Sequence, residues 1–276
     1  MWIRDTITSR KNPRVIYVAS LSERKYREEH GVFAANGIKL FSEAADARLP
    51  ICEVYYDDTR RDTLLPLIEE KLSQDIYADT EIFPLSASCF EKISSEKSPE
   101  GVITVVKHLD FLKKCTIINS ISDFVAPTER VILLYAMRDP GNLGAVVRSA
   151  VAFGADHIIV SADSADIYHP KTLRAAMGSL FRVKVTAVQD LGAAVVDLRK
   201  TGRRIFAAEL SENAIPFSEA SMTARDAVII GNEGHGIPKK LSLVCDGSVY
   251  IPISKATESL NASVAAALFM WEQSKL

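Results

Sequence analysis

Apolar positions follow a regular rhythm from about residue 130 onward, where short continuous apolar runs alternate with stretches of helical spacing. VILLYA (131–136), HIIV (157–160), VKVTAV (183–188), RRIFAAEL (203–210), AVIIG (227–231) and SVYIPI (248–253) read as strands. Runs this continuous belong to strands covered on both faces. Between the first two, LGAVVRSAVAFG places Leu143, Val146, Val147, Ala150 and Val151 on one helix face, and Gly154 ends the helix. Asn142 is expected to be its N-cap. KTLRAAMGSLF (171–181) and residues 190–200 read as further helices, and a last one is expected from about Ser259 to Ser274. Strands alternating with helices predict a parallel, three-layer α/β domain.

The earlier part of the chain alternates shorter elements. A helix rich in Arg, Lys and Glu is expected over 14–29. A short strand then turns through Asn36-Gly37 into a helix within 32–47. EVYYD (53–57) and GVITVVK (101–107) read as strands, and LLPLIEEKLS (64–73) as a helix despite Pro66. These elements predict a smaller α/β unit. The stretch 108–128 is less regular and ends at Ala126-Pro127, so we divide the chain into domains 1–122 and 123–276.

Composition narrows the class. The 276 residues are 47% hydrophobic and 25% charged, which gives each domain enough apolar side chain for a core and excludes disorder as the main state. No apolar run approaches the roughly 20 residues of a membrane span, and the charged start MWIRDTITSRKNPR has no apolar core of a signal peptide. The four cysteines lie far apart without a CxxC pair, so buried or incidental thiols are expected rather than a metal site or disulfide framework, in a cytoplasmic protein. The formal charge is −2, so any nucleic-acid affinity must come from a local patch. Residues 1–27 carry seven basic side chains against two acidic ones, including Arg10, Lys11, Arg14, Arg24, Lys25 and Arg27. On charge clustering alone, a solvated helix face is the favoured explanation.

Candidate chemistry gathers at the carboxyl ends of the expected strands, where open α/β sheets bind ligands. There is no GxGxxG after the first strand and no GxxxxGK[ST], which disfavours a classical dinucleotide or P-loop site. Three other segments occupy those ends. In Asp139-Pro-Gly-Asn-Leu-Gly-Ala-Val-Val-Arg148, Arg148 lies off the apolar stripe one turn beyond Gly144. It is either a surface arginine or a grip for phosphate or an oxyanion. In Gly231-Asn-Glu-Gly-His-Gly-Ile-Pro238, three glycines would let backbone approach a ligand, or simply make a tight turn. Glu233 is a polar anchor there, and His235 is expected to face solvent. The third segment, Ile251 to Ser263, sets Ser259, Asn261 and Ser263 at the start of a small-sided helix, where one of them would cap it.

In this order, the three segments resemble the SpoU/TrmH group of the SPOUT superfamily, RNA 2′-O-ribose methyltransferases that use S-adenosylmethionine. The resemblance runs over residues 130–276 through NLGAVVRSA, RAAMGSLFRV, VIIGNEGHGIP and IPISKATESLNASVAAAL. ITSRKNPRV, the basic helix and VFAANGIKLFSEA are similar to the L30e-like substrate-binding domain often fused to that group, with Asn36 where the pattern usually has Glu. The resemblance implies a C-terminal SPOUT domain with a trefoil knot, an exception to the rule against knots. It also implies a homodimer whose active site is completed near the partner subunit. It makes Arg148 the catalytic residue, with Asn142, Glu233, Ser259 and Asn261 around it. It places S-adenosylmethionine against Gly231, Ile251 and Leu260 and the strand end near Leu210. No metal and no membrane are implied. The partner is RNA, with ribosomal RNA preferred over transfer RNA. A non-catalytic RNA-binding or ribosome-assembly protein of the same fold is the alternative, as is a tRNA 2′-O-methyltransferase. The presence of Asn142, Arg148, Glu233 and Asn261 together favours an enzyme.

Overall fold

The computed structural model describes residues 1–96, 98–109 and 121–275, and the backbone of 114–115. Parts of the irregular stretch 108–128, and the Cys115 side chain, lie outside the described residues. The chain forms two compact units, Met1–Leu109 with Tyr168–Phe181, and Asp110–Ile167 with Arg182–Leu276. The division therefore differs from a single cut at 122/123: residues 110–122 go with the second unit, and 168–181 return to the first.

The first unit is built on a five-stranded sheet in the order Trp2–Ile3, Glu81–Leu85, Ile51–Asp57, Val102–Lys107, Val32–Asn36. Val102–Lys107 runs antiparallel to both its neighbours, and the remaining pairs are parallel. One face buries Val15, Val18, Leu21, Tyr55, Phe83 and Phe90 in a common core. The basic stretch 14–29 is two helices, Pro13–Ser20 and Arg24–His30, rather than one. The break is stabilised by Arg27. This residue is 2% exposed and donates from Nη1 to the carbonyls of Leu21 (2.6 Å) and Ser22 (2.7 Å), acceptors the interrupted helix leaves without backbone partners. Strand Glu81–Leu85 and helix Ala87–Ile93 have no counterpart in the sequence reading, because Pro84 interrupts the strand signal. The expected helix 171–181 stops at Ala176. Met177 and Gly178 take left-handed conformations (φ 50° and 84°), and a Cβ on Gly178 would stand 2.6 Å from the Glu43 side chain. Before that helix, Tyr168 stacks between Phe33 and His108, with ring centroids 4.6 and 4.4 Å away.

The second unit is an eight-stranded, all-parallel sheet. We number its strands β1 (Lys114–Cys115), β2 (Val131–Leu134), β3 (His157–Ser161), β4 (Lys184–Val188), β5 (Ile205–Ala208), β6 (Ile215–Pro216), β7 (Ala227–Ile230) and β8 (Gly247–Tyr250). Its helices are α1 (Pro140–Ala152), α2 (Leu191–Arg199), α3 (Lys239–Ser242) and α4 (Ala262–Gln273). The sheet order is β6-β8-β5-β7-β2-β3-β4-β1. All four residues of β2 and of β7 are buried, as their continuous apolar runs require. One face packs Leu133, Ile159, Ala207 and Ile229 against Leu191, Val195 and Leu198 of α2 and Leu241 of α3. Helices α1 and α4 pack on each other, and α4 also packs on β7.

Several end points differ from expectation: β2 stops at Leu134, β5 covers only Ile205–Ala208, and α4 starts at Ala262 rather than near Ser259. Strand β8 stops at Tyr250, which leaves 251–253 as loop. Asn142 does not cap α1. Asp139 does, accepting the Asn142 backbone N–H at 2.8 Å, with Pro140 at the first helical position. Asp139 outcompetes Asn142 because Pro140 pre-sets the helical φ one residue after it.

Candidate active site

With its backbone N–H satisfied by Asp139, Asn142 sits inside the first turn of α1 and its amide is free to reach other segments. Its Nδ2 donates to Glu233 Oε1 at 2.9 Å, and its Oδ1 accepts from Asn261 Nδ2 at 3.1 Å. Asn261 in turn caps α4, its Oδ1 accepting from the N–H groups of Ser263 (2.9 Å) and Val264 (3.3 Å). A single chain of side-chain hydrogen bonds thus ties together the three segments picked out from the sequence. Ser259 is not part of it. Its carbonyl accepts from Thr257 Oγ1 (3.3 Å), while its hydroxyl has no partner among the described residues.

Asn232, missed in the sequence, shapes the second segment. Its Oδ1 accepts from the N–H groups of Gly234 and His235, and its Nδ2 donates to the Ala136 carbonyl at 2.7 Å. Its backbone pairs in both directions with Gly236. Inside this tight loop, a Cβ on Gly231 would fall 2.5 Å from the Gly236 carbonyl carbon. That glycine therefore serves chain-on-chain approach, and it also lines a cleft at the strand ends. The signal for Asn232 was its place among glycines, where Asn caps its own following backbone. Ala136 holds φ at 47°, unusual for a residue with a Cβ. It is fixed there by its N–H to Ser161 Oγ (2.8 Å) and by Asn232 on its carbonyl. Backbone strain of this kind gathers at functional sites. His235 is exposed, as expected.

The loops after β5, β7 and β8 and the start of α4 enclose a cleft of about 710 Å³, within the range of small-molecule sites. Leu210, Gly231, Ile251 and Leu260 all line it, as do Glu233 and Ser259. Its walls of apolar side chains and strand-end backbone suit an adenosyl group, with a flat apolar face and a polar edge. Arg148 is elsewhere. It lies six residues beyond Asn142, about 9 Å along the helix and about 120° around it. It is exposed, with no hydrogen-bond or ion-pair partner among the described residues.

The six basic residues assigned to RNA fall into distinct environments in the first unit. Arg10, Lys11, Arg24 and Lys25 are exposed, with Arg24 paired to Glu28 at 2.9 Å. Arg14 bridges Glu53 (2.5 Å) and Glu81 (3.0 Å) and lies over the Phe83 ring. Hydrogen bonding from Arg4, joined by the charge of Arg14, holds the Glu81 carboxyl below its usual range. Arg27 is the correction: buried on backbone carbonyls, it stabilises the helix break and does not present its charge to a phosphate.

No group of three or more His, Cys, Asp and Glu that could hold a metal occurs among the described residues, and no helix there is long and apolar enough to cross a membrane. The second unit is thus a parallel sheet with a cleft at its strand ends and the network Glu233–Asn142–Asn261 at the lip. The model of the SpoU rRNA Methylase family matches residues 129–271, and that of the MRM3-like substrate binding domain matches residues 12–104. The chain belongs to the SpoU rRNA methylase family. It is 29% identical to the 23S rRNA (guanosine(2553)-2′-O)-methyltransferase RlmP of Bacillus subtilis, over 96% of this chain and 97% of that protein. It is 27% identical to the 23S rRNA (guanosine-2′-O-)-methyltransferase RlmB of Coxiella burnetii, over 90% and 95%. Among solved structures, the SpoU methyltransferase AviRb of Streptomyces viridochromogenes in complex with AdoMet superposes with a TM-score of 0.79 at 25% identity, covering 96% of this chain and 98% of that one.

Proposed function

We propose that this enzyme methylates a ribose 2′-hydroxyl of 23S ribosomal RNA, acting as a cytoplasmic homodimer with a knotted C-terminal unit. The observation that carries this reading is the hydrogen-bonded chain Glu233–Asn142–Asn261 at the lip of the cleft. S-adenosylmethionine, when bound, supplies a methyl group already activated on a sulfonium. What remains for the protein is to bind, align and manage a proton. Leu210, Gly231, Ile251 and Leu260 would hold the adenosyl group. Glu233 keeps Oε2 without a partner among the described residues, and that oxygen would accept a hydrogen bond from the ribose. Asn142, with both ends of its amide engaged, fixes Glu233. A guanidinium keeps its charge at neutral pH, so Arg148 orients the hydroxyl and stabilises the negative charge that develops on it.

Arg148 points away from its own Asn142 face, which supports a site completed across two subunits. Val264, Leu268 and Trp271 form an exposed i, i+4, i+7 stripe on α4, the helix packed against α1. A second copy of the chain is the occupant we assign to that stripe. In the first unit, Arg10, Lys11, Arg24 and Lys25 would meet RNA phosphates. The test is ribose-methylation mapping of total RNA from cells with and without the protein. One 23S rRNA position should lose its methyl group and regain it on complementation. Loss confined to tRNA, or no loss, would overturn the reading.

A further inference from the structure

We infer that Glu209 is a positioning residue for the cofactor, its free carboxylate oxygen accepting the two hydroxyls of the adenosyl ribose. The inference rests on the reading of the cleft as the cofactor site. Glu209 follows the last residue of β5, at the carboxyl edge of the sheet, and lines the cleft between Ala208 and Leu210. Its backbone is fixed by its N–H donating to the Val249 carbonyl at 3.1 Å. Its side chain is fixed more firmly. Oε1 accepts from Ser242 Oγ at 2.5 Å and from Ser248 Oγ at 2.8 Å. These donors come from different elements, the last residue of α3 and the middle of β8. Two hydroxyls on one oxygen leave the carboxylate with little rotational freedom. Oε2 has no partner among the described residues, and no ion pair is formed to Glu209 there.

A half-buried carboxylate that is only an acceptor, held rigid and lacking a cation, calls for hydrogen-bond donors from whatever fills the cleft. An adenosyl group presents two vicinal O–H donors on its ribose, a geometry that suits one carboxylate oxygen and its edge. Adenine offers only an amino group flanked by acceptors. The other acidic residues lining the cleft are less suited. Glu233 is exposed at the lip, where its free oxygen would face the substrate ribose, and Glu258 lies on the exposed loop 254–259.

The test is isothermal titration of the full-length chain with 5′-methylthioadenosine and with its 2′,3′-dideoxy analogue, in wild type and Glu209→Gln. Wild type should bind the diol ligand at least about tenfold more tightly, the scale of a hydrogen bond to a charged group. Glu209→Gln should lose about tenfold for the diol ligand and keep the dideoxy affinity within about twofold, which also certifies that the variant is folded. Equal wild-type affinity for the two ligands overturns the role of Glu209 alone. So does an equal loss for both in the variant, which would make the residue structural. Wild type binding neither overturns the cofactor-cleft reading with it. If Glu209→Gln does not fold, the double variant Ser242→Ala/Ser248→Ala enters the same cycle. A loss confined to the diol ligand supports the proposal, and an equal loss for both overturns it.

Discussion

Arg148 stands exposed and without a partner among the described residues, while six positions earlier Asn142 is held at both ends of its amide. That contrast separates chemistry from architecture. Arg148→Ala should keep the fold and the affinity for S-adenosylhomocysteine, yet lower single-turnover methyl transfer at saturating RNA by at least about 100-fold. Arg148→Lys should also be poor, because an ammonium lacks the planar fork. Turnover near wild type, or loss of fold, would remove Arg148 from the catalytic role. Gly231→Ala should act differently. The new Cβ meets backbone at Gly236, which cannot swing aside, so the loop must move and cofactor affinity should fall by about tenfold or more. Unchanged calorimetric affinity would show that the loop tolerates it. At this scale the family resemblance grouped Asn142, Glu233 and Asn261, and the three do meet, whereas Ser259 and Arg148, grouped with them, do not join the network. Asp139 and Asn232 were not legible. Both act on backbone groups: Asp before Pro140 and Asn among glycines bear the marks of a cap and a turn, but neighbouring residues bear the same marks, as Asn142 does.

The elements of the second unit were read well because a parallel sheet writes its buried strands as unbroken apolar runs. In the first unit, Pro84 hid a strand, and the charge pattern of 14–29 hid a helix break whose support is a buried arginine. Arg27→Ala should therefore destabilise the fold by about 1–3 kcal/mol in urea unfolding, leaving two carbonyls unsatisfied, with no change in the salt slope of RNA binding. Replacing Arg10, Lys11, Arg24 and Lys25 by Gln should do the reverse, flattening that slope with stability nearly unchanged. Strand β3 carries a pH-sensitive group of its own. Burial pushes His157 below the ordinary imidazole value, against the pull of Glu129 on its Nδ1 (3.2 Å), with Thr186 on its Nε2 (2.8 Å) and Lys184 and Arg203 nearby. The unfolded chain then binds the extra proton, so this contribution is full above about pH 6.5 and is lost progressively as pH falls below that value through the lower folded-state pKa. Stability measured between pH 7 and 5 should decline less steeply in His157→Gln; an identical decline would show that other groups set it.

For the whole molecule, the proposed pairing of two copies through the exposed α4 stripe predicts that the wild type sediments as a dimer and Trp271→Glu as a monomer, with methyl transfer lost and S-adenosylhomocysteine binding retained. A variant that stays dimeric would place the interface elsewhere. The return of Tyr168–Phe181 to the first unit has a consequence of another kind. Along the gene, the first body is written in two instalments, with a stretch of the second between them. Tyr168, the middle ring of the stack on Phe33, arrives at the ribosome exit roughly sixty residues after Leu109 has passed it, so the first body stays unfinished until much of the second has been synthesised. No single stop codon or protease cut can yield both bodies whole, and a graft of residues 1–109 onto another protein would carry an unroofed Phe33 unless the later instalment were spliced in behind it.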